Sequence, residues 1–162
     1  NHYSGTMGVA MEGCMKYIPS IAFSSCNYNP DADLSHLRHY VRLITKRVID
    51  EGLPKGVCLN VNFPDTDSFK GLKVCRMGFG SWVNEVVRRQ HPHKYNYYWM
   101  TGEYCDDEPG ATDNDRWALA NGYVSVTPTL MDVTAYEMLD KMKGWESPSR
   151  PPQGEELNQG ED

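Results

Sequence analysis

Apolar positions crowd the chain from Thr6 to Tyr17, where Met7, Val9, Ala10, Met11, Cys14 and Met15 leave hardly any face polar. A helix with that distribution is buried on most sides, as in a layered α/β core. Ile18 to Ser24 follows at once and reads as a strand with Pro19 at its entry. Asn27 to Asp33 is a turn-rich loop. Beyond it the period changes. Between Ser35 and Glu51, Leu37, Val41, Ile44 and Val48 recur at intervals of four, three and four residues, which predicts an amphipathic helix. Asp33 or Ser35 is placed to cap it, and Gly52 to stop it.

Val57 to Phe63 alternates toward Pro64 and predicts a half-buried strand, with Leu72 to Met77 as another. From Gly78 to Tyr104 the pattern loses its core character. Trp82 to Arg89 and Tyr97 to Met100 carry β-favouring aromatic and branched residues around the polar loop Gln90 to Asn96, which predicts a long hairpin. An aromatic hairpin with little core of its own commonly packs on something else, often another subunit. Thr112 to Ala120 reads as a short helix, Tyr123 to Pro128 as a strand, and Thr134 to Lys143 as a last helix. Residues 146–162, rich in Pro, Gly and Glu, are expected to be disordered, which leaves one domain over residues 1–145.

Charge changes this picture little. Of the formal −6, residues 146–162 supply −4, so the body is close to neutral, and no basic patch interleaved with aromatics is present. Nucleic acid is therefore not expected as the main partner. No apolar run approaches membrane-spanning length, so no membrane partner is expected either. The five cysteines are scattered, never as Cys-x-x-Cys, and fit buried or free thiols in a reducing, cytoplasmic compartment. A chain that starts at Asn1 rather than Met is not expected to show its natural beginning.

The candidate chemistry concentrates at the first helix. Ser4-Gly5-Thr6 forms a hydroxyl- and glycine-lined turn that opens into it. Such a turn aims backbone N–H groups, the positive helix end and two hydroxyls at one spot, where a phosphate would sit. The same residues also suit a plain helix cap with close packing at Gly5 and Gly8. Met7 and Val9 stand where a reciprocal capping box needs Glu or Gln, which leaves more N–H groups open.

Other motifs are weaker. His91-Pro92-His93, with Asp106-Asp107-Glu108 downstream, lacks a third convergent ligand, and Pro92 suggests a loop tip. Asp113 is a further acidic candidate, although acidic loops are usually just solvated. His36 and His39 follow no zinc-helix spacing. Gly78-Phe79-Gly80-Ser81-Trp82-Val83 has Val83 where a dinucleotide loop needs its third glycine. His2 occupies the position of the first glycine of a nucleophile elbow around Ser4.

Taken in order, several segments resemble the SurE family of stationary-phase survival proteins. Tyr3-Ser4-Gly5-Thr6 with Met7 to Gly13 is similar to the family's Tyr-Ser-Gly-Thr helix opening, and Ile18 to Ala22 to its next strand. Leu53 to Pro64 resembles its Asn-x-Asn-x-Pro strand through Asn60, Asn62 and Pro64. Tyr97-Tyr98-Trp99 with Gly102, Thr112-Asp113, and Gly122 to Pro128 complete the match. The resemblance implies a Rossmann-like three-layer α/β/α sandwich whose hairpin and C-terminal segment serve a homodimer or homotetramer. It implies hydrolysis of nucleoside 5′- or 3′-monophosphates with a divalent cation, Mg or Mn. Ser4, Gly5 and Thr6 inherit the family's contact with the substrate phosphate. The family's metal ligands are a paired-Asp motif, a serine and an asparagine upstream of Tyr-Ser-Gly-Thr, so none is carried over to this chain and they are expected upstream of Asn1. A fragment of this kind is not expected to be active alone. A non-catalytic anion-binding and assembly protein is the alternative from another class.

Overall fold

The computed structural model describes residues 4–146. By internal contacts the chain divides into Asn1–Met131 and Asp132–Asp162.

Within the first unit, helix α1 spans Gly5–Met15. Its N-cap Ser4 has extended backbone, φ −80° and ψ 117°. At the other end Tyr17 takes the left-handed φ of 59°. The Lys16 and Ile18 N–H groups both donate to the Gly13 carbonyl, at 3.0 and 3.1 Å. Ser20's hydroxyl fills the place a Cβ on Gly13 would take. The chain is thereby turned before it enters strand β1, Ile21–Ser25. Ile18, Pro19 and Ser20, expected in the strand, form the irregular link between that turn and β1. Met7, Ala10 and Cys14 are the buried positions of α1, a single narrow face, while Val9 is 77% exposed. The expectation of a helix buried on most sides is corrected accordingly.

A short 3-10 turn at Ser35–Leu37 leads into α2, Arg38–Glu51. The Asp33 carboxylate accepts from the Ser35 N–H at 2.8 Å and its hydroxyl at 2.9 Å, so it caps that turn. Neither Asp33 nor Ser35 caps α2, whose N-cap is Leu37. Gly52, at φ 74°, ends the helix in a conformation that costs other residues more.

Strand β2, Val57–Phe63, lies at the centre. Its alternation sends Leu59, Val61 and Phe63 to a core with Leu37, Ile44 and Val48 of the 3-10 turn and α2. Cys58 goes to a second cluster with Met7, Ala10 and Cys14 of α1 and Ala22. The two helices therefore cover opposite faces of β2. Phe63 is 1% exposed and its ring meets those of Phe23 at 6.2 Å and Phe69 at 5.8 Å.

Strand β3 covers Leu72–Val74. The excursion expected from Gly78 to Tyr104 forms four short strands: β4 Gly80–Val83, β5 Val86–Gln90, β6 Asn96–Met100 and β7 Glu103–Asp106. Antiparallel pairs β4·β7 and β5·β6 form the base and tip of one hairpin. Two positive-φ positions, Asn84 at 55° and Gly102 at 141°, interrupt it, which splits the single strand expected from Trp82 to Arg89.

Helix α3 is Asp115–Ala120, capped by Asn114, and strand β8 is Val124–Leu130. Sheet order is β1-β2-β8-β3, with β1 and β2 parallel and β8 antiparallel to β2. β8 runs past Pro128, where the sequence pattern ends it. Val126 directs its carbonyl toward the β3 side, where Cys75 donates to it at 3.1 Å. Two residues on, Pro128 faces the same way, but β3 pairing has stopped at Val126, so no ladder bond is missed.

In the second unit, α4 is Tyr136–Met142 and a 3-10 turn covers Lys143–Trp145. Asp132 accepts from the Thr134 N–H at 2.9 Å and from the Tyr136 hydroxyl, which delays the helix expected from Thr134. The segment 147–162, expected to be disordered, lies outside the described residues.

Candidate functional site

The first turn of α1 is built by Ser4. Its Oγ accepts from the Met7 N–H at 3.2 Å, and its carbonyl accepts from the Gly8 N–H at 2.9 Å. A helix starts with four N–H groups lacking intrahelical partners. Gly5 and Thr6 N–H have no acceptor among the described residues. Cap and anion site are thus compatible: Ser4 satisfies the inner amides and leaves the outer two facing out. Ser4, Gly5 and Thr6 are all exposed. A Cβ on Gly5 would meet nothing within 4 Å, so space for a ligand is present. The first turn carries no acidic residue to repel one.

α1 runs back along β1, so its N-terminus stands at the carboxyl ends of the parallel strands β1 and β2. In open α/β sheets that is where ligands bind. Thr6 also borders a groove of about 490 Å³ between α1 and β1, lined further by Val9, Ala10, Ser20, Ile21 and Phe23. The larger groove of about 930 Å³ runs along α2 between Arg38 and Asp50.

The other sequence candidates do not converge. His91 stacks on Tyr95 at 4.3 Å on the hairpin loop, and its Nδ1 accepts from the His93 N–H at 3.2 Å. His36 stacks on Phe69 and His39 packs edge-on to Tyr40. Gly78 donates its N–H to Asp115 at 2.8 Å, and the Tyr104 hydroxyl occupies the position of a Cβ on Gly80, so both glycines serve packing. Among the described residues, no group of three His, Cys, Asp or Glu side chains could hold a metal ion. Cys14, Cys58 and Cys75 are buried free thiols. Burial pushes Cys58 and Cys75 up, which keeps them protonated.

The acidic cluster has a structural partner that sequence reasoning missed. Arg76 donates to both carboxylate oxygens of Glu108 at 2.8 and 2.7 Å, and to those of Asp113 at 2.9 and 3.0 Å. Glu108 also accepts from the Phe79 N–H at 2.9 Å. The Arg76 hydrogen bonds, and then that amide, hold the Glu108 carboxyl down to about 2, and Asp113 is lowered by the same guanidinium. This clasp ties the base of the hairpin to the segment before α3. Arg76 sits 32 and 37 residues from its partners, a separation that no local motif signals.

A family model described as "Survival protein SurE" matches residues 1–84. The protein called 5′-nucleotidase SurE of Phocaeicola vulgatus is 56% identical over 144 residues, which cover 89% of this chain and 56% of that protein. That of Bacteroides thetaiotaomicron is 52% identical over 144 residues, with the same coverage. The crystal structure of the SurE protein from Aquifex aeolicus matches with a TM-score of 0.73 at 36% identity, covering 90% of this chain and 59% of that one. The chain spans a little over half the length of these relatives.

Proposed function

Because the chain belongs to the SurE family, we propose that it carries the phosphate-binding part of a nucleotidase that hydrolyses nucleoside 5′- or 3′-monophosphates. The observation that carries this reading is the turn at Ser4-Gly5-Thr6. Two outward N–H groups, a threonine hydroxyl and a positive helix end share one exposed spot at the carboxyl ends of parallel strands. Similarity to proteins called 5′-nucleotidase supports the reaction class.

In this reading the Gly5 and Thr6 amides and the Thr6 hydroxyl donate to phosphoryl oxygens. They hold the substrate in one orientation and offset the charge that grows on it. Mg or Mn is proposed as the cofactor, held at least in part by residues other than those described, since no group of three His, Cys, Asp or Glu among the described residues could hold it. The three-layer sandwich is proposed as the architecture of the whole domain, with α1 and α2 as parts of its two outer layers. A homodimer or homotetramer is proposed from the exposed aromatic side chains of the hairpin, Trp82, Tyr98 and Trp99. No helix among the described residues is long and apolar enough to cross a membrane.

One experiment tests these points together. The protein at its natural length, resolved by size-exclusion chromatography, is assayed for orthophosphate release from nucleoside monophosphates with Mg or Mn added. Activity is expected in the fraction with the mass of a dimer or tetramer. A well-folded protein that releases no phosphate from any nucleoside monophosphate with either metal contradicts the enzymatic reading and favours a non-catalytic anion binder. Activity at the mass of a single chain contradicts the assembly.

A further inference from the structure

The Asn60-x-Asn62 motif is left without a role by the phosphate site alone. The register of the sheet shows where it points its chemistry. Ser24, Asn62 and Ser125 are paired across β1, β2 and β8 in one row, and Ala22, Asn60 and Thr127 in the row before it. By strand alternation these share a face with Cys58, the face that α1 covers. On the opposite face the same strands carry Leu59, Val61, Phe63, Val124 and Val126, an ordinary apolar core. The α1 face is thus apolar at Cys58 and becomes polar toward the carboxyl end of β2. That is the end at which the N-terminus of α1 stands.

Packing does not call for such a strip. Asn60, Ser125 and Thr127 are at most 4% exposed, and buried hydrogen-bonding groups are costly unless paired. Asn62 is half-buried and donates through Nδ2 to the Asn60 Oδ1 at 3.1 Å, which fixes the orientation of its amide. The Ser125 Oγ is buried with no hydrogen-bond partner among the described residues. A satisfied structural network would leave no hydroxyl idle in the row that also holds Asn62.

We propose that Asn62, positioned by Asn60 and with Ser125 in the same row, is a specificity-determining residue for the neutral, hydroxyl-bearing part of the substrate, the sugar of a nucleoside monophosphate. The ligand class follows from the chemistry of the strip. Its side chains are uncharged, which does not suit a second phosphate, and it has no aromatic ring to stack a base. A primary amide offers one acceptor and two donors, the complement of vicinal hydroxyls. The sugar is also the group attached directly to a phosphate held at Gly5 and Thr6. This inference rests on the nucleotidase reading above.

The test compares two substrates on the protein at its natural length with its divalent cation: a nucleoside 5′-monophosphate, and p-nitrophenyl phosphate, which has no sugar. Asn62→Ala is expected to raise KM for the nucleotide about tenfold, the loss of roughly one well-made hydrogen bond. Its kcat and KM for p-nitrophenyl phosphate are expected to stay within about twofold of the parent. Equal losses on both substrates, or no loss on the nucleotide, overturn the assignment. If Asn62→Ala does not fold, Asn62→Leu keeps a similar side-chain volume without the amide and without adding charge, and it is held to the same comparison. A parent protein that cleaves p-nitrophenyl phosphate but no nucleotide refutes the nucleotidase reading itself, an outcome distinct from failure of the Asn62 role.

Discussion

Replacing Thr6 by valine in the protein at its natural length is expected to lower kcat/KM for nucleoside monophosphates about 100-fold, the usual scale for removing one donor to a charged transition state. Thermal stability should be unchanged. Valine keeps the branched shape of threonine, and the position is exposed in the first turn, so neither packing nor helix geometry is disturbed. Ser4 would be the poorer choice. Its Oγ accepts the Met7 N–H, and losing a cap of that kind costs about 1 kcal/mol of stability by itself. A Ser4→Ala effect would therefore mix folding with binding. Steady-state kinetics beside a melting curve separates the two for Thr6. Parent-like kinetics in Thr6→Val would remove the hydroxyl from the site.

The second large effect is expected at the hairpin base. Arg76→Met keeps much of the aliphatic stem but strips Glu108 and Asp113 of their shared guanidinium. The Glu108 carboxyl, held at about 2, should then titrate near the ordinary glutamate value of about 4.3. Exchange of the Phe79 amide, which Glu108 accepts, should accelerate roughly tenfold. The pH dependence follows from the sign of the shift. A carboxyl depressed in the folded state stabilises it fully above the unfolded value, and that contribution fades as pH falls through about 2. In the parent the clasp should hold at pH 5 and loosen progressively toward pH 2. Side-chain carboxyl titration by NMR reads this directly. An unchanged Glu108 titration in Arg76→Met would show that other groups hold the carboxylate.

Much of the fold is written in local pattern. The interval of Leu37, Val41, Ile44 and Val48 gives α2, and alternation from Val57 gives β2. What escaped is tertiary. The outer face of α1 is apolar in sequence yet exposed among the described residues, because burial depends on what lies against it. The hairpin splits because Asn84 and Gly102 adopt positive φ, and only the glycine hints at that. β8 continues through Pro128 because its neighbour has ended, a fact about another strand. The candidate site divides in the same way. Ser4-Gly5-Thr6 is a contiguous motif and legible as such. The row of Ser24, Asn62 and Ser125 joins residues from three strands and becomes visible with the register. Arg76 with Glu108 and Asp113 is equally non-local.

The claim on which the rest depends is that phosphate binds at the N-terminus of α1. Titration of the natural-length, ¹⁵N-labelled protein with a nucleoside monophosphate, followed by amide chemical shifts, tests it at the atoms concerned. The Gly5 and Thr6 amides are expected to show the largest saturable shifts, moving downfield as they donate to phosphoryl oxygens. Saturable shifts that leave Gly5 and Thr6 unmoved, with the largest changes elsewhere, would contradict it.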